Sequence, residues 1–289
     1  MILYYAVGGG LGHISRSLAI LNRSQWLAGR TRLMTSSAIA GLTVNHSPSP
    51  VDHVAEETIR SKRRYSEFLS DYLERYRVRL LIVDTFPSGI VGEWGWVKPS
   101  IPVMLVARHL KWKEYSERAG AYGVAPAHTL MVEPLDQEQE RALENCGDVL
   151  RMDSPITLEQ PQGRAVKSGV LVVHSGPAQE LAELKKIATE RVGGADSIDI
   201  VSPERGVYPA ESFIRDYSTI VSGAGYNMCA LASQAAKGVT HILHPFERRY
   251  DDQFLRARRI RDGMWSGAVG DGAQKAATWL QELAAGYLR

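Results

Sequence analysis

The residues most able to do chemistry cluster near the amino terminus, in Gly8-Gly9-Gly10-Leu11-Gly12-His13, where a glycine-rich turn delivers a histidine. Met1 to Val7 is predicted as an apolar strand, and Ser15 to Trp26 has helical apolar spacing at Leu18, Ile20 and Leu21, so the turn joins a strand end to a helix start. Such turns bind ligands in α/β proteins, because glycines allow close backbone approach and the helix amino terminus offers unpaired N–H groups. An imidazole there can take a proton from a hydroxyl near neutral pH; merely capping the helix is the plainer alternative. The spacing lacks the third glycine of the dinucleotide fingerprint, and the predicted strand Thr31 to Ser36 ends without an acid, which argues against a nicotinamide enzyme.

A carboxylate suited to that histidine closes Leu80-Leu81-Ile82-Val83-Asp84, a continuous apolar strand of the kind found where both faces of a parallel sheet are covered. Strands ending at Val7 and Asp84 in one parallel sheet would bring His13 and Asp84 to the same carboxyl edge. The aspartate would fix the imidazole tautomer and stabilise the imidazolium. Its alternative is a cap or turn residue ahead of Pro87. Arg108-His109 follow the predicted strand Val103 to Ala107, a position from which they could face the cleft.

A second constellation lies in the other half. Ser222-Gly223-Ala224-Gly225-Tyr226-Asn227 follows a predicted strand and opens a predicted helix, a cradle of backbone N–H groups suited to phosphate. His244 to Gln253 follows the next strand and brings Arg248, Asp252 and Gln253 to the same edge. Arginine pairs bidentately with phosphate, and an Asp-Gln pair can bond vicinal hydroxyls. Ser175 and Gly176, after the strand Gly169 to His174, add N–H groups to a diphosphate site, against a plain turn as the alternative. No spacing of ligands suggests a metal, and no Gly-x-Ser-x-Gly elbow is present.

The elements needed to position these groups alternate along the chain. After the first unit come a strand at Thr31 to Ser36, an amphipathic helix at Glu56 to Tyr76, and strands at Leu80 to Asp84, Pro102 to Ala107 and Thr129 to Glu133. Asp153 to Lys167 is polar, carries two prolines and shows no period, and is assigned as the linker. The alternation restarts at Gly169, which predicts two doubly wound domains, 1–160 and 161–289, facing each other across a cleft. The closing helix, within 274–289, is placed back on the first domain. With 289 residues, 44% apolar, 23% charged and a net charge of +2, the chain reads as soluble and globular, with no global case for nucleic acid. Neither a signal peptide nor a membrane-length apolar run is seen, and Cys146 and Cys229 fit a reducing cytoplasm.

Taken in order, these segments resemble the GT-B glycosyltransferases, most of all family 28, which includes the N-acetylglucosaminyl transferase of lipid II synthesis, and the bacterial glycosyltransferases known only as predicted. The turn carrying Gly9, Gly10, Gly12, His13 and Arg16 resembles the family's acceptor loop. Ser222 to Asn227 resembles its donor-phosphate turn, Pro245 through Asp252-Gln253 its donor-sugar motif, and Asp84-Thr85-Phe86-Pro87 the Asp-x-Phe-Pro segment of the predicted branch. The resemblance implies two Rossmann-like domains and metal-free, inverting transfer from a nucleotide-diphosphate sugar, UDP-linked, to a hydroxyl on a sugar, lipid or small molecule. His13 and Asp84 would form the catalytic dyad, no cofactor would be needed, and a peripheral membrane contact is left open, no exposed amphipathic anchor being evident. A nucleotide-sugar hydrolase or epimerase, or a non-catalytic relative, are the alternatives on this fold. One departure matters: the helix at Tyr226 to Lys237 lacks the carboxylate that binds ribose in the family, leaving Gln234 as a neutral substitute.

Overall fold

A computed structural model describes residues 1–120, 123–158, 167–192, 198–214, 216–235, 238–265 and 270–289. Eleven strands are present among them: β1 (Ile2–Tyr5), β2 (Thr31–Thr35), β3 (Val51–His53), β4 (Leu80–Asp84), β5 (Val103–Ala107), β6 (His128–Met131), β7 (Asp148–Arg151), β8 (Lys167–Val173), β9 (Ile198–Val201), β10 (Tyr217–Gly223) and β11 (Thr240–His244). The helices are α1 (Leu11–Leu21), α2 (Gln25–Ala28), α3 (Glu56–Arg60), α4 (Lys62–Arg75), α5 (Trp94–Val97), α6 (Trp112–Ala119), α7 (Gln137–Glu144), α8 (Ala178–Val192), α9 (Glu211–Ile214), α10 (Tyr226–Ser233), α11 (Gln253–Arg261) and α12 (Gly272–Tyr287).

The strands form two separate parallel sheets, ordered β3-β2-β1-β4-β5-β6-β7 and β11-β10-β8-β9. Parallel strands need crossover helices, which is why the apolar runs Leu80 to Val83 and Val170 to Val172 are buried on both faces. In the first sheet the order reverses between β1 and β4, which pair with Tyr5 opposite Val83. In the second it reverses between β8 and β10, with Val173 opposite Ser222. Loops leaving the carboxyl ends of strands at such reversals diverge and open a crevice. The fold therefore creates one crevice in each domain without help from any single residue.

Some expected elements change shape. The helix predicted over Glu56 to Tyr76 is two, because the Ser61 hydroxyl accepts a hydrogen bond from the Arg64 N–H and caps α4 afresh. α1 starts at Leu11, four residues before Ser15, and is buried along almost its whole length between the first sheet and α12. β3 and β7 are short edge strands with weak apolar patterning, and the sequence gives no sign of them. Most of the assigned linker, 159–166, lies outside the described residues.

α12 presents Ala273, Ala276, Ala277, Leu280 and Ala284 as a buried stripe and packs on α1 and α2 of the first domain. Gln281 accepts a hydrogen bond from the Ser24 hydroxyl at 2.6 Å, and Arg23 meets Asp271 at 2.8 Å. A buried ion pair ties the domains on the other flank. Arg256 of α11 donates twice to Glu133, which follows β6, at 2.8 and 2.9 Å, and its second fork also reaches Asp251 at 2.8 Å. Among the described residues no helix is long and apolar enough to cross a membrane.

Breaking a buried pair strands the remaining charge, a loss of about 3–5 kcal/mol. Arg256→Gln, which leaves Glu133 without its arginine and Asp251 with Arg108 alone, should therefore lower the thermal midpoint more than Glu133→Gln, which leaves Arg256 on Asp251. Equal midpoints for both variants and the parent chain would show that the pair does not hold the domains.

Candidate active site

His13 occupies the first turn of α1, and Asp84 ends β4. Because β1 and β4 are neighbours, the turn after β1 lies beside the end of β4, and the His13 Nδ1 sits 2.7 Å from the Asp84 Oδ1. Arg16, one helical turn beyond His13 and on the same face, donates through Nε to the second carboxylate oxygen at 3.0 Å and through Nη2 to the first. Thr85 completes the shell, its hydroxyl donating to Asp84 at 2.8 Å and accepting from Arg16 at 2.9 Å. To do so Thr85 adopts φ +73°, a left-handed conformation that is strained for a β-branched residue.

Asp84 is fully buried. Burial alone would raise its pKa, but the Arg16 guanidinium and His13 outweigh it and hold the carboxyl well below the usual carboxylate range. Burial lowers the His13 pKa below 6.5, opposed by Asp84 and reinforced by the positive charges of Arg108 and Arg16. The ring is therefore neutral at pH 7, and its Nε2, which carries no hydrogen bond among the described residues, is the nitrogen free to accept a proton. The Phe86 ring packs 5.4 Å away and fixes the imidazole from the side.

His13 looks into a cleft of about 940 Å³ that runs between the domains. Gly9, Gly10 and Gly12 line it, and a Cβ at any of the three would meet nothing, so they leave open space. Gly8 differs: a methyl there would overlap the His13 ring. The opposite wall is built from Ser175, Gly176, Gly223, Gly225, Tyr226, Asn227, Arg248 and Gln253. α10 begins at Tyr226 with no side-chain cap on its first turn, so its N–H groups remain available to an anion.

Several residues stand elsewhere than expected. Arg16 does not line the acceptor side; it is 1% exposed, clamped on Asp84, with the Tyr226 ring over its guanidinium at 4.9 Å. Ser222 and Ala224 are wholly buried beneath the turn and do not line the cleft. Asp252 caps α11 by accepting from the Leu255 N–H at 2.8 Å, because the helix starts at Gln253. Asp251 faces the cleft instead. The Gln253 side-chain Oε1 accepts from the Phe246 N–H at 3.0 Å and so shapes the loop. Arg248 is held by Glu180 through two contacts of 2.5 and 2.6 Å, so a phosphate would have to compete with that carboxylate. Gln234 donates to the Gly270 carbonyl at 3.3 Å and is not part of the cleft wall.

Other cleft residues were not singled out from the sequence. Glu211 of α9 brings a mostly buried carboxylate into the wall, and Tyr208 reaches across to bond Ser15 at 3.0 Å. Neither lies in a motif. Only their position after β9, at the carboxyl edge of the second sheet, could have marked them.

No protein-family model matches the chain, and no curated protein sequence matches it. Solved structures do. A glycosyltransferase of Streptomyces sp. SF2575 complexed with thymidine diphosphate is 14% identical with a TM-score of 0.56, over 99% of this chain and 96% of that one. A UDP-GlcNAc 2-epimerase of Methanocaldococcus jannaschii in complex with UDP-GlcNAc and UDP is 11% identical with a TM-score of 0.56, over 98% and 100%. An Anabaena protein in complex with UDP-glucose is 10% identical with a TM-score of 0.52, over 99% and 98%. At such identities the likeness shows the fold: two parallel-sheet α/β domains in the GT-B arrangement.

The charges around His13 predict its titration. In a two-dimensional NMR titration the His13 imidazole should protonate below pH 6.5, and in Asp84→Asn lower still, because the raising influence of the carboxylate is gone. A group with a depressed folded pKa adds stability above its unfolded value and loses it as pH falls, so the His13 contribution is lost below pH 6.5. An imidazole that titrates at or above 6.5, or that shifts upward in Asp84→Asn, would contradict this arrangement.

Proposed function

We propose that the chain transfers a sugar from a nucleotide-diphosphate donor to an acceptor hydroxyl, with inversion and without a metal. The observation that carries the reading is the neutral His13, oriented by buried Asp84, facing across the cleft the uncapped amino terminus of α10. The acceptor hydroxyl would give its proton to His13 Nε2 while its oxygen attacks the anomeric carbon. The bond from that carbon to the phosphate oxygen breaks, and the diphosphate leaves with the electron pair. The N–H groups of Tyr226, Asn227 and the Ser175-Gly176 turn would receive its charge, which is how fixed dipoles can replace a cation. Nucleotide diphosphates in the solved structures of like fold support a nucleotide partner, with UDP the first to try. The resemblance to family 28 and its lipid II group rests on motif order alone.

Ribose recognition differs from the family pattern. Glu211 is the mostly buried carboxylate of the donor-side wall, and it comes from α9 where α10 carries none. Asp251, held ionised by Arg108 and Arg256 against the opposing effect of burial, is a second acceptor for sugar hydroxyls.

Incubation with UDP- and TDP-linked hexoses and N-acetylhexosamines, with and without hydroxyl acceptors, tests the reading. Nucleotide release that requires the acceptor and yields a glycoside of inverted anomeric configuration is expected. Release without acceptor would make the protein a hydrolase, and sugar conversion without release an epimerase. His13→Ala should lower turnover by roughly 10²- to 10⁴-fold with donor affinity nearly unchanged, and Asp84→Asn should act in the same direction. Turnover that survives both substitutions would remove the dyad.

A further inference from the structure

Arg108 leaves the carboxyl end of β5, one strand from Asp84, and lines the cleft although only 7% of it is exposed. Three buried arginines meet near this cleft, and two grip a carboxylate through two nitrogens each, Arg16 on Asp84 and Arg256 on Glu133, with only Nη1 of Arg16 left without a partner. Arg108 grips none. Its Nε is buried without a hydrogen-bond partner, and its Nη2 is 3.5 Å from Asp251 Oδ1, an ion-pair contact without a hydrogen bond to an oxygen that also lies 2.8 Å from Arg256. Burial works against this guanidinium charge, opposed by Asp251 and reinforced by the charges of Arg256 and Arg16.

The backbone beneath it is fastened. Gln139 donates to the Arg108 carbonyl at 2.8 Å and accepts from the Leu110 N–H at 3.1 Å, while the His109 N–H donates to Glu133 at 3.0 Å. A desolvated guanidinium on a fixed strand end, with an unfilled fork, is built for an oxyanion from outside the protein.

We propose that Arg108 binds a carboxylate or phosphate group carried by the acceptor, which makes the acceptor of the transfer an acidic molecule. The assignment to the acceptor follows from location. Arg108 belongs to the first sheet with Asp84 and acts electrostatically on His13, whereas a donor diphosphate has its own N–H cradle at α10 in the other domain. The inference rests on the transfer reading for the word acceptor; the anion site itself stands on the geometry of Arg108.

Calorimetric titration of the full chain with glucuronate, glucose 6-phosphate and glucose, each with and without UDP, tests the proposal in the parent protein, Arg108→Gln and Arg108→Lys. At least one charged sugar should bind the parent more tightly than glucose. Arg108→Gln should weaken that binding by roughly 10-fold or more, the scale of a lost charge-assisted hydrogen-bond pair, and Arg108→Lys by less, with UDP affinity within about twofold of the parent in both. Charged sugars that bind no better than glucose, or that bind Arg108→Gln as well as the parent, would overturn the proposal. A loss of UDP affinity in Arg108→Gln, absent with uridine, would assign the guanidinium to the donor diphosphate and also overturn it. A parent chain that binds a charged sugar through Arg108 but binds no nucleotide would overturn the transferase reading and not the anion site.

Discussion

The first half of the cleft is organised by the burial of one carboxylate. An ionised Asp84 with no exposed surface persists only against matched positive charge and hydrogen bonds. Arg16, His13 and Thr85 supply them. Because His13 and Arg16 are three residues apart on α1, both reach Asp84 only if the helix lies tightly over the β1–β4 junction, so that one ionic cluster sets the helix position, the imidazole orientation and the left-handed Thr85 together. The Tyr226 ring over the Arg16 guanidinium extends the same cluster into the second domain. Tyr226 also donates its hydroxyl to the Val132 carbonyl at 3.3 Å and accepts from the Ile156 N–H at 3.1 Å, so the residue that opens α10 is anchored to the first sheet.

The far wall is held in register by a second charged group of different character. Arg256, Glu133 and Asp251 join α11 to the end of β6, and the Lys111 N–H donates to the Tyr250 carbonyl at 2.8 Å where Phe86, Tyr115 and Tyr250 pack together. Two ionic clusters and one aromatic cluster thus fix the separation between the His13 side and the α10 side. For a reaction that depends on alignment, such fixed separation matters more than any single contact. The pattern also explains why Arg108 stands out: in a region where buried charges are matched in number, its guanidinium meets its nearest carboxylate, Asp251, only at 3.5 Å and leaves Nε without a hydrogen bond.

Much of this was legible in the residues, and the failures share a cause. His13 and Asp84 could be paired from the sequence because each ends a recognisable strand or opens the following helix, and strand order in a parallel sheet does the rest. Arg16 could not be placed, since three positions along α1 from His13 is equally consistent with facing the cleft or the core, and only the buried carboxylate decides between them. Asp252 caps α11 and the preceding Asp251 faces the cleft for a related reason: adjacent acids ahead of a helix look alike in sequence, and only the helix start decides which one becomes the cap. Ser222 and Ala224 fell inside the turn because small residues there serve the close packing of β10 as readily as the ligand. The two halves of the helix at Glu56 to Tyr76 were merged because Ser61 reads as a neutral interior residue until its hydroxyl caps α4.

The glycines of the amino-terminal turn separate two demands that look alike in a sequence. Gly8 is required by the protein itself, since any side chain there would displace the His13 ring, whereas Gly9, Gly10 and Gly12 face empty space and none has a positive φ. Backbone conformation therefore does not explain them, and neither does internal packing. What remains is clearance for a molecule in the cleft beside a neutral imidazole. With α1 starting at that clearance and α10 starting at the opposite wall, two helix amino termini border the same volume, a field that favours negative charge developing on a departing group and disfavours protonation of His13 before the acceptor arrives.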